Sequence, residues 1–173
     1  MAFHYRPAAL AATVFSLLAL LPLAACDPQR ISELTPGVST EADVRDRFGV
    51  PENTWDEPDG ARTLEYNRQP AGQVNYMITI APDGRMTSVR QVLAPDTFAQ
   101  VVAGMRKDTV RRLLGKPAKN ITYALKNETW VEWRFVQPPN QAKVFSVIYG
   151  PDQLVLRTQV GDDMDAPENK GGR

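Results

Sequence analysis

The chain has 173 residues, with 20 basic and 20 acidic side chains, one histidine, one cysteine and a pI near 6.6. With balanced charge and no basic cluster it lacks the electrostatic footprint of a nucleic-acid binder. A single cysteine cannot close an internal disulfide, so stability must come from an apolar core, and the length suits one large domain or two small ones.

The first element is an export segment. Arg6 is the only permanent charge before Asp27, and residues 8–21 are nearly all Ala, Leu, Val and Phe. Pro22 interrupts this stretch, and Leu23, Ala24, Ala25 and Cys26 follow as a cleavage box ending on the lone cysteine. The pattern is that of a bacterial lipoprotein signal peptide over residues 1–25, with Cys26 as the lipidated residue of the exported chain. The expected localisation is the periplasmic side of a membrane, tethered by acyl chains. The inner leaflet of the outer membrane is favoured, and Asp27 next to Cys26 keeps the inner membrane open. Residues 26–30 read as the lipidated N-terminus and linker.

The body then repeats itself, over residues 31–93 and 94–160. The first copy predicts a leading helix over 28–34, a turn at Gly37 and a second helix capped by Ser39 or Thr40, with Glu41 and Asp43 in its first turn. Val44 and Phe48 lie four apart on one face, Gly49 stops the helix in a left-handed cap, and Pro51 prevents its return. Residues 52–60, rich in Gly, Pro and Asp, read as a connection. Strands follow over 62–68, 74–80 and 86–92, with Pro82-Asp83-Gly84 as a turn.

The second copy predicts a leading helix over 96–102 capped by Asp96, a turn at Gly104 and a helix with Val110 and Leu114 on one face, ended by Gly115 and Pro117. Arg106 stands where the first copy has its cap, so this helix starts less well. Strands are expected over 121–125, 129–136, 143–149 and 154–159, with residues 161–173 as a disordered tail. Leu64-Glu65-Tyr66 aligns with Val131-Glu132-Trp133. The fold class is therefore α+β: two tandem units, each with two short helices on an antiparallel sheet of three to four strands.

The chemistry of catalysis is sparse. The only histidine, His4, lies in the signal, and a lipidated Cys26 is neither nucleophile nor ligand. No phosphate loop, GxSxG or metal-spaced cluster is present. The chain is thus expected to be no enzyme, with no catalytic residue, cofactor or metal. The candidate contact residues are aromatic and charged. Tyr66 and Trp133 fit core positions. Trp130, Glu132 and Arg134 alternate on the opposite face of their strand and form a candidate partner-binding row. Glu65, matched to Glu132, is expected in solvent. Trp55, in the connection, is a further candidate for partner contact.

The V-R-x-x-apolar-G-x-P ending, at residues 44–51 and 110–117 behind a lipobox, resembles the SmpA/OmlA (BamE-like) outer-membrane assembly lipoproteins. The tandem form is similar to the β-lactamase inhibitory proteins. The first resemblance implies a membrane-anchored protein-binding module in outer-membrane protein assembly or envelope integrity, with the barrel-assembly machinery as candidate partner. The second implies an inhibitor-like module covering an envelope hydrolase. A lipid-binding structural spacer is the third expectation.

Overall fold

Both helix–glycine–sheet units are present in the computed structural model, which describes residues 27–169. The first comprises α1 (Asp27–Ser32), α2 (Glu41–Phe48), β1 (Asn53–Asp56), β2 (Arg62–Asn67), β3 (Asn75–Ile80) and β4 (Met86–Gln91). The second comprises α3 (Pro95–Phe98), α4 (Lys107–Leu114), β5 (Lys119–Tyr123), β6 (Glu128–Gln137), β7 (Gln141–Tyr149) and β8 (Val155–Asp162). Short 3-10 turns occupy Ala124–Lys126 and Pro167–Asn169. Each unit is a four-stranded antiparallel meander, β1-β2-β3-β4 and β5-β6-β7-β8, carrying its own pair of helices. The signal box and Cys26 lie outside the described residues, as do residues 170–173.

Local chemistry sets the elements. Thr40 caps α2 in a complete capping box: its hydroxyl accepts from the Asp43 amide, and the Asp43 carboxylate accepts from the Thr40 amide at 2.8 Å. These bonds, from the Thr40 backbone first and its hydroxyl second, hold the Asp43 carboxyl below its ordinary value. Arg106 offers α4 no such bond, as its side chain predicts. Gly49 and Gly115 end their helices at φ +81° and +75°. Their ψ values are extended, −154° and −171°, so the stop uses a region nearly closed to other residues and not the expected left-handed cap.

The duplication extends to single hydrogen bonds. Tyr66 donates its hydroxyl to Gly49 O at 3.1 Å, and the matched Trp133 donates its indole N–H to Gly115 O at 2.9 Å. The Gly37 amide donates to Met86 O and the Gly104 amide to Val155 O, each at 2.8 Å, locking each helix–helix turn to the last strand of its unit. The Tyr66 and Trp133 bonds each satisfy a carbonyl that the end of a helix leaves without a partner.

Two apolar clusters result. The first gathers Val44, Phe48, Leu64, Tyr66, Tyr76, Ile78 and Ile80 between α2 and the front of the first sheet. The second gathers Phe98, Val110, Leu114, Val131, Trp133, Phe145 and Val147 between α3, α4 and the front of the second sheet. Met77 belongs to the second cluster although it stands on β3. Because side chains alternate along a strand, Met77 and its partner Glu65 point to the back of the first sheet, away from Leu64 and Ile78. The back of the first sheet is therefore packed on α4, and the units stack helices, sheet, helices, sheet.

Several expectations need correction. Residues 27–30 are the first turn of α1 and not a linker: Arg68 grips Asp27 through two bonds of 2.9 and 3.0 Å, and Arg30 donates to Arg47 O. Residues 53–56 form β1, paired with β2, so the first sheet has four strands. The run is short and polar, which hides it among turn residues. Asp96 does not cap α3; Ala94 occupies that position and Pro95 opens the helix. Gly161 and Asp162 continue β8 opposite Val144 and Lys143, and the segment to Asn169 is pinned rather than loose. Asp163 is buried there and accepts from Arg134 Nε at 2.6 Å. Glycine and aspartate read as a tail because no sequence pattern announces Arg134 as their partner.

Candidate functional site

The back of the first sheet shows how this face engages a helix. Glu65 is 0% exposed; it accepts from Arg111 Nη1 at 2.7 Å and from the Lys116 amide at 2.8 Å. Asn75, also buried, donates its amide to Leu114 O at 2.8 Å and Lys116 O at 3.1 Å, two carbonyls at the end of α4. Gly115 lies directly beneath: a Cβ there would come within 2.9 Å of Asn75 Nδ2 and 3.3 Å of Glu65 Oε1. The expectation of a solvated Glu65 is thus overturned. The carboxylate is buried because the second unit lies on it, and an arginine and a backbone amide of that unit bond to its two oxygens.

The register places the same addresses on the back of the second sheet. Glu132 stands where Glu65 does and Ser146 where Met77 does, since Glu132 pairs with Ser146 as Glu65 pairs with Met77. Trp130, Glu132 and Arg134 therefore do share one face, with Ile121 and Lys119 of β5 beside them and Arg157 and Gln159 of β8 beyond. No described helix covers this face. Glu132 is half-buried and forms no ion pair among the described residues; Ser146 Oγ is 3.5 Å from it.

The upper part of the face is a rigid cluster. Glu128 accepts two bonds from Arg157, at 2.7 and 3.1 Å, and one from Trp130 Nε1 at 2.9 Å. These bonds, Arg157 first, bring the Glu128 carboxyl down to about 2. The Arg157 guanidinium lies 5.9 Å from the Trp130 ring centre, and Tyr123 meets that ring edge-on at 5.4 Å. Trp130 is consequently a half-covered platform, held by Glu128, Arg157 and Tyr123. The lower part is bounded by the 163–169 segment, where Lys119 binds Asp165 and Arg134 binds Asp163. A groove of about 200 Å³ runs between, along Glu132, Ser146, Gln159 and Asp163. Arg134 is already committed: besides Asp163 it donates to Pro70 O, and its backbone N–H donates to Gln69 Oε1, so it stitches the units together.

Trp55 lies elsewhere. It stands on the back of β1 against α4, with the Arg112 guanidinium 5.3 Å from its ring and that of Arg111 at 6.0 Å. Sequence reasoning missed Arg157, Glu128 and Gln159 as parts of the open face. The alternation of β8 against β7 is the signal that reaches Arg157 and Gln159. Glu128 stands two residues before Trp130 on β6, so the same alternation that groups Trp130, Glu132 and Arg134 reaches it as well.

No family model matches the chain, and no curated protein does; the expected membership of the SmpA/OmlA group therefore finds no support. Two solved structures are similar. One is a DUF4309-family protein of Bacillus subtilis, at 19% identity and TM-score 0.32, covering 79% of this chain and 86% of that one. The other is a candidate β-lactamase inhibitor protein from Streptococcus mutans, at 7% identity and TM-score 0.31, covering 79% and 95%. Likenesses at these TM-scores carry no argument about this chain.

Proposed function

We propose that this protein is a binding module that holds a partner protein on the back of its second sheet. The observation that carries the reading is internal: the equivalent face of the first sheet already docks a helix end, through Glu65, Asn75 and Met77. The second sheet repeats the glutamate and leaves it without an ion pair among the described residues. A fixed tryptophan beside a half-desolvated carboxylate suits a protein contact better than a reaction site, because no described side chain is poised as nucleophile beside a base. The partner would bring a cation to Glu132, as α4 brings Arg111 to Glu65, and an apolar group to the Trp130–Ile121 edge.

Place in the cell is the second part of the proposal and rests on the first 26 residues. A tether at Cys26 would raise the effective concentration of the module at a membrane, so that a modest interface suffices. Both the envelope hydrolase and the barrel-assembly machinery remain partner classes that experiment separates. Affinity capture from envelope extracts with the intact protein should yield one defined partner at fixed stoichiometry. The variant Glu132→Arg should lose it while keeping its thermal transition. Retention of the partner by Glu132→Arg and by Trp130→Ala would refute the assignment of this face.

A further inference from the structure

Away from the open face, cavities lie on either side of Arg111 of α4. The first, about 240 Å³, lies between α4 and strands β5 and β6; Val131, Trp133 and Pro117 give it an apolar floor, and Lys107, Arg111 and Tyr149 stand around it. Tyr149 is 0% exposed, yet its hydroxyl has no hydrogen-bond partner among the described residues. A buried hydroxyl left unpaired is costly, on the order of 1–3 kcal/mol, so the position calls for an acceptor. Burial, and secondly the charge of Asp108, raise the phenol far above its ordinary value, so it is a donor at every working pH. The second cavity lies along the other side of Arg111, against Trp55, whose indole N–H is likewise buried and unpaired.

The remaining groups around the first cavity favour the same ligand chemistry. Lys107 is half-buried, sits 5.8 Å from the Tyr149 ring centre and makes no ion pair among the described residues. Arg111 spends one nitrogen on Glu65 and keeps other N–H groups unspent. Asp108 is the one carboxylate at the rim, but it is exposed, so water answers its charge while the half-buried ammonium is screened less. Donors thus outnumber acceptors over an apolar floor. At about 30 Å³ per water the cavity has room for roughly eight waters, the scale of a small organic acid.

We infer that this cavity is a binding site for a small organic carboxylate, held by Lys107, Arg111 and the Tyr149 hydroxyl with its apolar body on Trp133 and Val131. The inference is independent of the partner proposed above, which engages the other side of the sheet. Benzoate is the probe, followed by protein-detected NMR on the full folded chain, with benzamide as the neutral counterpart and inorganic phosphate as the anion without an apolar body. Benzoate should give saturable shifts confined to residues around 107–111, 117–120 and 149, and benzamide and phosphate should not. Lys107→Met should weaken benzoate at least tenfold. Tyr149→Phe should weaken it several-fold while leaving the free protein as stable or more stable, since it removes an unpaired hydroxyl. Absence of saturable shifts, unchanged affinity in Lys107→Met, equal binding of phosphate, or a lower melting temperature for Tyr149→Phe would each overturn the inference.

Discussion

The two units share a frame and differ in what lies on it. Glu65 and Glu132 occupy one address, yet Glu65 is sealed under α4 and Glu132 faces a groove. The helices differ in the same sense. On the side turned to the first sheet α4 presents Arg111 and Arg112, which bond to Glu65 and Glu57, whereas at the matching places α2 presents Arg45, paired with Glu41 of its own helix, and the exposed Asp46. The inner helix spends these arginines on the other unit, and the outer helix pairs its Arg45 within its own length. Duplication kept the bonds that close each unit, and differentiation fell on the back faces.

Breaking the buried copy should cost most. Glu65→Ala removes one member of a buried pair and strands Arg111, at roughly 3–5 kcal/mol, whereas Glu132→Ala should fall within about 0.5 kcal/mol; urea denaturation reads both. Equal effects would dissolve the distinction between the faces. Gly115→Ala should follow. Both cap glycines occupy a backbone region worth about 1–3 kcal/mol to a side chain, but only at Gly115 does the added methyl also meet Asn75 and Glu65, so it should exceed Gly49→Ala, where nothing lies within 4 Å. Smaller and symmetric is the loss of the cap bond from the sheet: Tyr66→Phe should cost about 1 kcal/mol and leave the second unit undisturbed. Thr40→Ala should cost about 1 kcal/mol, and Arg106→Ser should raise stability by supplying the cap that α4 lacks.

The pH response should be mild and have a definite sign. Glu128 has a folded value of about 2, below its ordinary one, so its contribution is complete above the ordinary carboxylate range and disappears as pH falls toward 2. Asp43 acts in the same direction. Arg157→Gln should move this acid limb upward in pH, as followed by Trp130 fluorescence, with little change at neutral pH.

What the sequence discloses follows from the range of each interaction. The helix of Val44 and Phe48, the Thr40 cap, the stopping glycines and the alternation of β3 are set within a few residues, and periodicity shows them. The core roles of Tyr66 and Trp133 follow from strand parity. Trp130, Glu132 and Arg134 share a face for the same reason. Burial of Glu65 was hidden, because the cover comes from Arg111 and Lys116 in the other unit. β1 was hidden because three polar residues and one tryptophan gain their strand state from β2 alone. The pinned end of the chain depends on Arg134, distant in sequence, and Trp55 depends on Arg111 and Arg112 in the same way.

The division between a used face and an open one is tested most directly by photocrosslinking in living cells that express the full chain. A crosslinking residue placed at Gln159, on the back of the second sheet, should trap one discrete protein, and the same group at Asp46, on the outer side of α2, should trap none. A product from Asp46 with none from Gln159 would contradict the account.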